Sequence, residues 1–138
     1  SDPDYKFEIG KGIQLSEGED VTLVATGLMV AKALEAVKYL EADGIHAGVI
    51  DIHTIKPLDS EIILKAAGKT GKIVVLEEHS VIGGFGSAVS ELLSELFPIP
   101  VKRIGINDVY GRSGPAEELL HYYGLDTEGI YRQVKGFL

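Results

Sequence analysis

The chain has 138 residues, 45% of them hydrophobic and 25% charged, a composition that gives one globular domain with a real core and excludes a disordered chain. Its net charge of −8, with the 13 basic residues scattered, argues against a phosphate-tracking surface for nucleic acid. No apolar run approaches the roughly 20 residues that span a bilayer, Ser1-Asp2-Pro3-Asp4 does not start a signal peptide, and cysteine is absent, which removes disulfides, thiolate nucleophiles and Cys-based metal sites.

Residues 1–8 are expected to be a leader or engineered remnant, and 9–138 a single domain. Gly12-Ile13-Gln14-Leu15 reads as an edge strand. The tight Glu17-Gly18-Glu19-Asp20 link joins it to Val21–Ala25, an apolar run typical of a strand buried on both faces. So short a connection requires an antiparallel pairing, because a parallel neighbour needs a long crossover. A helix is predicted from about Met29 to Asp43, with Val30, Leu34, Val37 and Leu40 on one face and Gly44 as its stop. Residues 47–52 are the next strand. Asp59 is a good N-cap for a helix carrying Ile62, Ile63, Ala66 and Ala67 and ending near Gly68.

The unit then repeats. Residues 72–77 read as a strand, and Gly83-Gly84-Phe85-Gly86-Ser87 leads into a helix through about Phe97. Pro98 and Pro100 bracket a turn before a strand from Val101 to Ile106. Two short helices, 116–123 and 127–134, close the chain. Strand and helix alternate, so crossovers are right-handed and the sheet is mostly parallel with helices on both faces: a three-layer α/β/α fold.

Several segments could carry chemistry. The glycine loop lies between a strand end and a helix start, where a phosphate could be cradled. Val89 stands where a dinucleotide fingerprint needs its third glycine, however, and no phosphate-loop motif is present, so a tight turn with close helix packing is the simpler reading. Glu77-Glu78-His79 ends its strand, with Glu77 and His79 alternating to one face. The pair could do acid–base work in a cleft, form a polar strand terminus or join a subunit contact. No G-x-S-x-G elbow accompanies it. His46, His53 and His121 lack metal-ligand spacing. In Asp51–Asp59, Pro57 favours extended geometry at Lys56 and Asp59 caps the next helix. Arg112-Ser113-Gly114-Pro115, beyond the last strand, could bind a sugar phosphate or fix its loop and a neighbouring subunit. The candidate anion or interface residues are therefore His79, Gly83, Gly84, Gly86, Arg112 and Ser113, and no metal site is expected.

Taken in order, these segments resemble the C-terminal domain of transketolase over about residues 7–138. The resemblance rests on Glu8–Gly12, Glu17–Gly27, Thr54-Ile55-Lys56-Pro57-Leu58-Asp59, Val75–His79, Gly83–Val89, Arg112-Ser113-Gly114, Glu118-Leu119-Leu120 and Tyr123-Gly124-Leu125-Asp126. It implies a mixed five-stranded sheet whose first strand is antiparallel. It also implies an enzyme of the pentose phosphate pathway that moves a two-carbon ketol unit between phosphorylated sugars, using thiamine diphosphate and a divalent cation, Mg or Ca. In that family the cofactor lies between two other domains. This chain has neither their Gly-Asp-Gly motif nor a domain to house their activating glutamate, so no catalytic or cofactor-binding residue is assigned, and the chain alone is expected to be inactive. The expected partners are the remaining transketolase domains or an N-terminal subunit, in a homodimer located in the cytoplasm, with neither nucleic acid nor membrane. Similar domains occur in 1-deoxyxylulose-5-phosphate synthase and in the β subunit of 2-oxoacid dehydrogenases; His79 and the Arg112-Ser113-Gly114 tail favour transketolase. A stand-alone nucleotide- or anion-binding regulatory module is the other alternative.

Overall fold

The computed structural model describes residues 11–53, 57–77, 84–105 and 126–138. Within them run β1 (Ile13–Ser16), β2 (Val21–Ala25), α1 (Leu28–Ala42), β3 (Ala47–Asp51), α2 (Ser60–Thr70), β4 (Ile73–Leu76), α3 (Phe85–Leu96), β5 (Val101–Ile104) and α4 (Thr127–Phe137). The predicted helix over 116–123, the Lys56 geometry and the boundary at residue 8 lie outside the described residues, whereas β5, predicted to run to Ile106, ends at Ile104, before Gly105.

The sheet has five strands in the order β1-β3-β2-β4-β5. β2 to β5 are parallel, and β1 runs antiparallel at one edge. The predicted direction of β1 is right, but its neighbour is β3 and not β2. The two strands joined by the tight link therefore flank a third, and the link crosses over the start of β3. Three contacts hold it there. The Asp20 amide donates to the His46 carbonyl at 2.9 Å, the His46 amide returns a bond to Asp20 Oδ2 at 2.7 Å, and the Ser16 hydroxyl donates to the Ala47 carbonyl at 3.1 Å. The pairing of β1 slips between Gln14 and Ser16, a bulge that interrupts an otherwise exposed edge.

The central strands β2 and β4 are buried throughout, as continuous apolar runs in a doubly covered sheet must be. One face packs under α1 and α4, through Leu23, Met29, Leu40, Val49, Leu76, Ile130 and Val134. The other packs under α2 and α3, through Val24, Ile50, Ile63, Ile73, Phe85 and Leu93. Two local expectations shift. The core face of α1 is Met29, Ala33, Ala36, Val37 and Leu40, whereas Val30 and Leu34 are only partly buried, rotated toward the carboxyl ends of β2 and β3. Ala33 and Ala36 let α1 approach the sheet closely between Met29 and Leu40, and Val30 and Leu34 fall to its flank. Helix α2 also passes through Gly68 and ends at Gly71, whose φ of 68° and amide bond to the Ala67 carbonyl at 2.9 Å make the left-handed stop.

Asp59 caps α2 as predicted, accepting from Ile62 N at 3.3 Å, and its second oxygen accepts from Gly12 N at 2.8 Å, so one carboxylate starts the helix and anchors β1. Helix α4 is tied to α1 by Asp43, which accepts from the Tyr131 hydroxyl and pairs with Lys135 at 3.1 Å. These contacts, the hydroxyl bond first, hold the Asp43 carboxyl below the usual range. A depressed folded value means that the contribution is present above the ordinary carboxylate pKa of about 3.9 and is lost as pH falls through the lower folded value. Asp43→Asn is therefore expected to lower the melting temperature at neutral pH. Its melting curve should converge with the parent's as pH drops below that window, a convergence that thermal melts across an acid titration would reveal.

Candidate functional site

The chain leaves β2 toward β3 on one side, then returns to β4 on the other. The carboxyl ends of β2 and β4 thus form the switch point at which open α/β sheets gather ligands. Glu77 directly follows β4 there. It is buried, with 8% of its surface exposed. Its Oε1 accepts the Gly86 amide and its Oε2 lies 3.8 Å from Arg103 Nη2 on β5.

This arrangement follows from the local sequence. Helix α3 begins after Gly84, which has no side chain to cap it. The orphan amides of its first turn need an acceptor from elsewhere. Glu77 reaches across to supply one, with its negative charge at the positive end of the helix. Gly86 makes room for this approach, since a Cβ there would lie 2.8 Å from Glu77 Oε1 and also strike the Arg103 guanidinium. Arg103 was not among the sequence candidates. The available signal was a helix starting on glycines, which demands a distant cap.

Of the sequence candidates, the structure brings Gly84 and Gly86 together at the start of α3, where the Gly86 amide is committed to Glu77. His79, Gly83, Arg112 and Ser113, with Glu78, lie outside the described residues. Beside the switch point, a shallow cleft of about 580 Å³ runs along the carboxyl ends of β2 and β3, lined by Thr26, Gly27, Val30, Leu34, Asp51 and His53. In it, His53 Nδ1 lies 3.6 Å from Asp51 Oδ1. His46, by contrast, sits on the surface 4.0 Å from Glu41.

Thiamine diphosphate with a divalent cation would need a cluster of metal ligands and an open anion site. Among the described residues no group of three or more His, Cys, Asp or Glu could hold a metal ion. The first turn of α3 presents a carboxylate, which would repel a diphosphate. The described residues do not fit that cofactor. No described helix is long and apolar enough to cross a membrane.

The transketolase C-terminal domain family matches residues 10–130 of the chain. A Methanocaldococcus jannaschii protein that carries the name transketolase C-terminal section is 50% identical over 129 residues, 93% of this chain and 40% of that protein. The 1-deoxy-D-xylulose-5-phosphate synthase of Heliobacterium modesticaldum is 49% identical over 125 residues, 90% of this chain and 19% of that protein. A solved split-gene transketolase, described as an inactive β4 tetramer, superposes with a TM-score of 0.89 at 53% identity, covering 100% of this chain and 45% of that chain. The chain thus spans less than half the length of the relatives it matches. With a mixed five-stranded sheet between two helical layers and a family match over most of its length, this chain belongs to the transketolase C-terminal domain family.

Proposed function

We propose that the chain works as the C-terminal domain of a thiamine-diphosphate-dependent transketolase, which transfers a two-carbon ketol unit between sugar phosphates with the help of a divalent cation. In this reading it packs on a pyrimidine-binding domain, supports assembly of a homodimer in the cytoplasm, and is not catalytic alone. The observation that carries the reading is 50% identity over 93% of the chain to a protein of which it spans only 40%. Those parts of the relative that this chain does not match leave ample length for cofactor-binding domains.

The Gly86 amide, already taken by Glu77, supports an interface role over an anion-binding role for Gly84 and Gly86; the same interface role is proposed for His79, Gly83, Arg112 and Ser113. The 49% match to a 1-deoxy-D-xylulose-5-phosphate synthase supports a second reading, the C-terminal domain of such a synthase.

The test is reconstitution. The chain is joined to or co-expressed with a polypeptide carrying diphosphate- and pyrimidine-binding domains, and ketol transfer between sugar phosphates is assayed. Activity is expected only in the combination, and the chain alone should give no heat on titration with thiamine diphosphate. Micromolar cofactor binding by the chain alone would overturn the reading, while product formation from pyruvate and glyceraldehyde 3-phosphate would replace it with the synthase.

A further inference from the structure

A second concavity lies at the opposite, amino-terminal pole of the sheet, where the link after β1 crosses toward the second half of α2. It holds about 350 Å³, at the small end of the range of ligand pockets. Its floor is Thr22, 2% exposed, and Ala66, 5% exposed, with the backbone of Gly18 beside them. Gln14 and Ile62 form its walls. Lys65 and Lys69, one turn apart on α2, stand at its mouth with Glu17.

The charges at that mouth are unusual for a chain of net charge −8. Lys69 Nζ holds Glu17 Oε1 at 2.6 Å, and Lys65 acts on the same carboxylate through its field. Lys69 sits in the last turn of α2, where the helix dipole favours a cation in any case; Lys65, earlier in the helix, lacks that reason. Two ammonium groups offer six N–H donors, more than one carboxylate can accept. The Gln14 amide donates to the Ser16 carbonyl at 2.6 Å, which holds it along the wall. On the far side of Lys65, a neighbouring groove adds Lys11 but also Glu61 and Asp59, and the Asp59 oxygens already cap α2 and bind Gly12. The cationic character is therefore concentrated at the Lys65–Lys69 lip.

We propose that this cleft binds a small doubly charged oxyanion, the chemistry shared by phosphate monoesters and dicarboxylates. Lys65 and Lys69 form its lip, and Glu17 is an internal carboxylate that the ligand displaces. The displacement gives the site a signature that general surface charge lacks. Removing an acid anywhere strengthens anion binding a little; removing Glu17 frees the very donors the ligand uses.

The experiment titrates the full chain, labelled for amide NMR, with inorganic phosphate and separately with malonate at constant pH and ionic strength, against a chloride control. Saturable shifts are expected at Gly18, Thr22 and Lys69, and the tighter of the two probes identifies the ligand source. Glu17→Gln is expected to bind about two- to fivefold tighter, the worth of one surface ion pair. Lys65→Gln with Lys69→Gln should abolish saturation. All three side chains are at the surface, so the remaining amide spectrum should be unchanged and the fold is not in question. Shifts no larger than those with chloride, a Glu17→Gln chain that binds equally or more weakly, or saturation that survives loss of both lysines would each overturn the site.

Discussion

Replacing Glu77 with alanine is expected to destabilise the domain by about 2–3 kcal/mol, the sum of a lost helix cap and a buried amide left without its acceptor. For a chain of this size that corresponds to a fall of roughly 6–10 °C in melting temperature. The cost stays below that of breaking a fully buried ion pair, because the Arg103 side chain is 48% exposed and can turn to water. Glu77→Gln separates the two contributions. Its carbonyl oxygen can still accept from Gly86, while the charge facing Arg103 and the helix dipole is gone, so about half the loss is expected. Thermal melts with amide exchange at Gly86 read both. A Glu77→Ala chain that melts with its parent would show that α3 does not depend on this cap. The result bears on function as well. A carboxylate whose removal mainly unravels α3 is structural, and the acid–base role that its position beside His79 suggested then falls away.

The second large effect is expected at Gly18. A Cβ there would lie 2.6 Å from both the Ala47 nitrogen and the His46 carbonyl carbon. These are backbone atoms at the start of β3 and of the residue before it, where the link crosses, and no rotamer change moves them aside. Gly18→Ala is therefore expected to cost about 2–3 kcal/mol and to loosen the pairing of β1 on β3. The same substitution at Gly68 makes an internal comparison. It lies inside α2 with nothing within 4 Å of a new Cβ, so Gly68→Ala should stabilise by about 0.5–1 kcal/mol. Denaturant titrations of the two variants should move in opposite directions. Equal and small shifts would mean that the crossing at Ala47 is looser than the structure shows.

Much of the architecture was legible along the chain. Continuous apolar runs marked β2 and β4 as buried on both faces, and Asp59 announced the start of α2. The ordered motifs from Glu17–Gly27 to Gly83–Val89 carried the family, now matched over residues 10–130. Boundaries were less legible where the competing costs are small. Glycine inside a helix costs only about 1 kcal/mol, so Gly68 did not stop α2, and the left-handed Gly71 did. The candidate site was half legible: its glycines and Glu77 stood out, while Arg103, on the next strand, did not.

Among the described residues, the sequence by itself determined the kind of each element, their order and the direction of β1, because periodicity, caps and link length are local properties. Tertiary structure alone decided that β3 lies between β1 and β2, that α1 turns its alanines to the sheet, and that Glu77 closes α3. The reason is physical. Backbone ladder bonds are nearly independent of side chains, so neighbouring strands are selected by how whole layers pack. A helix start without a local cap likewise takes whatever acceptor the fold brings within reach.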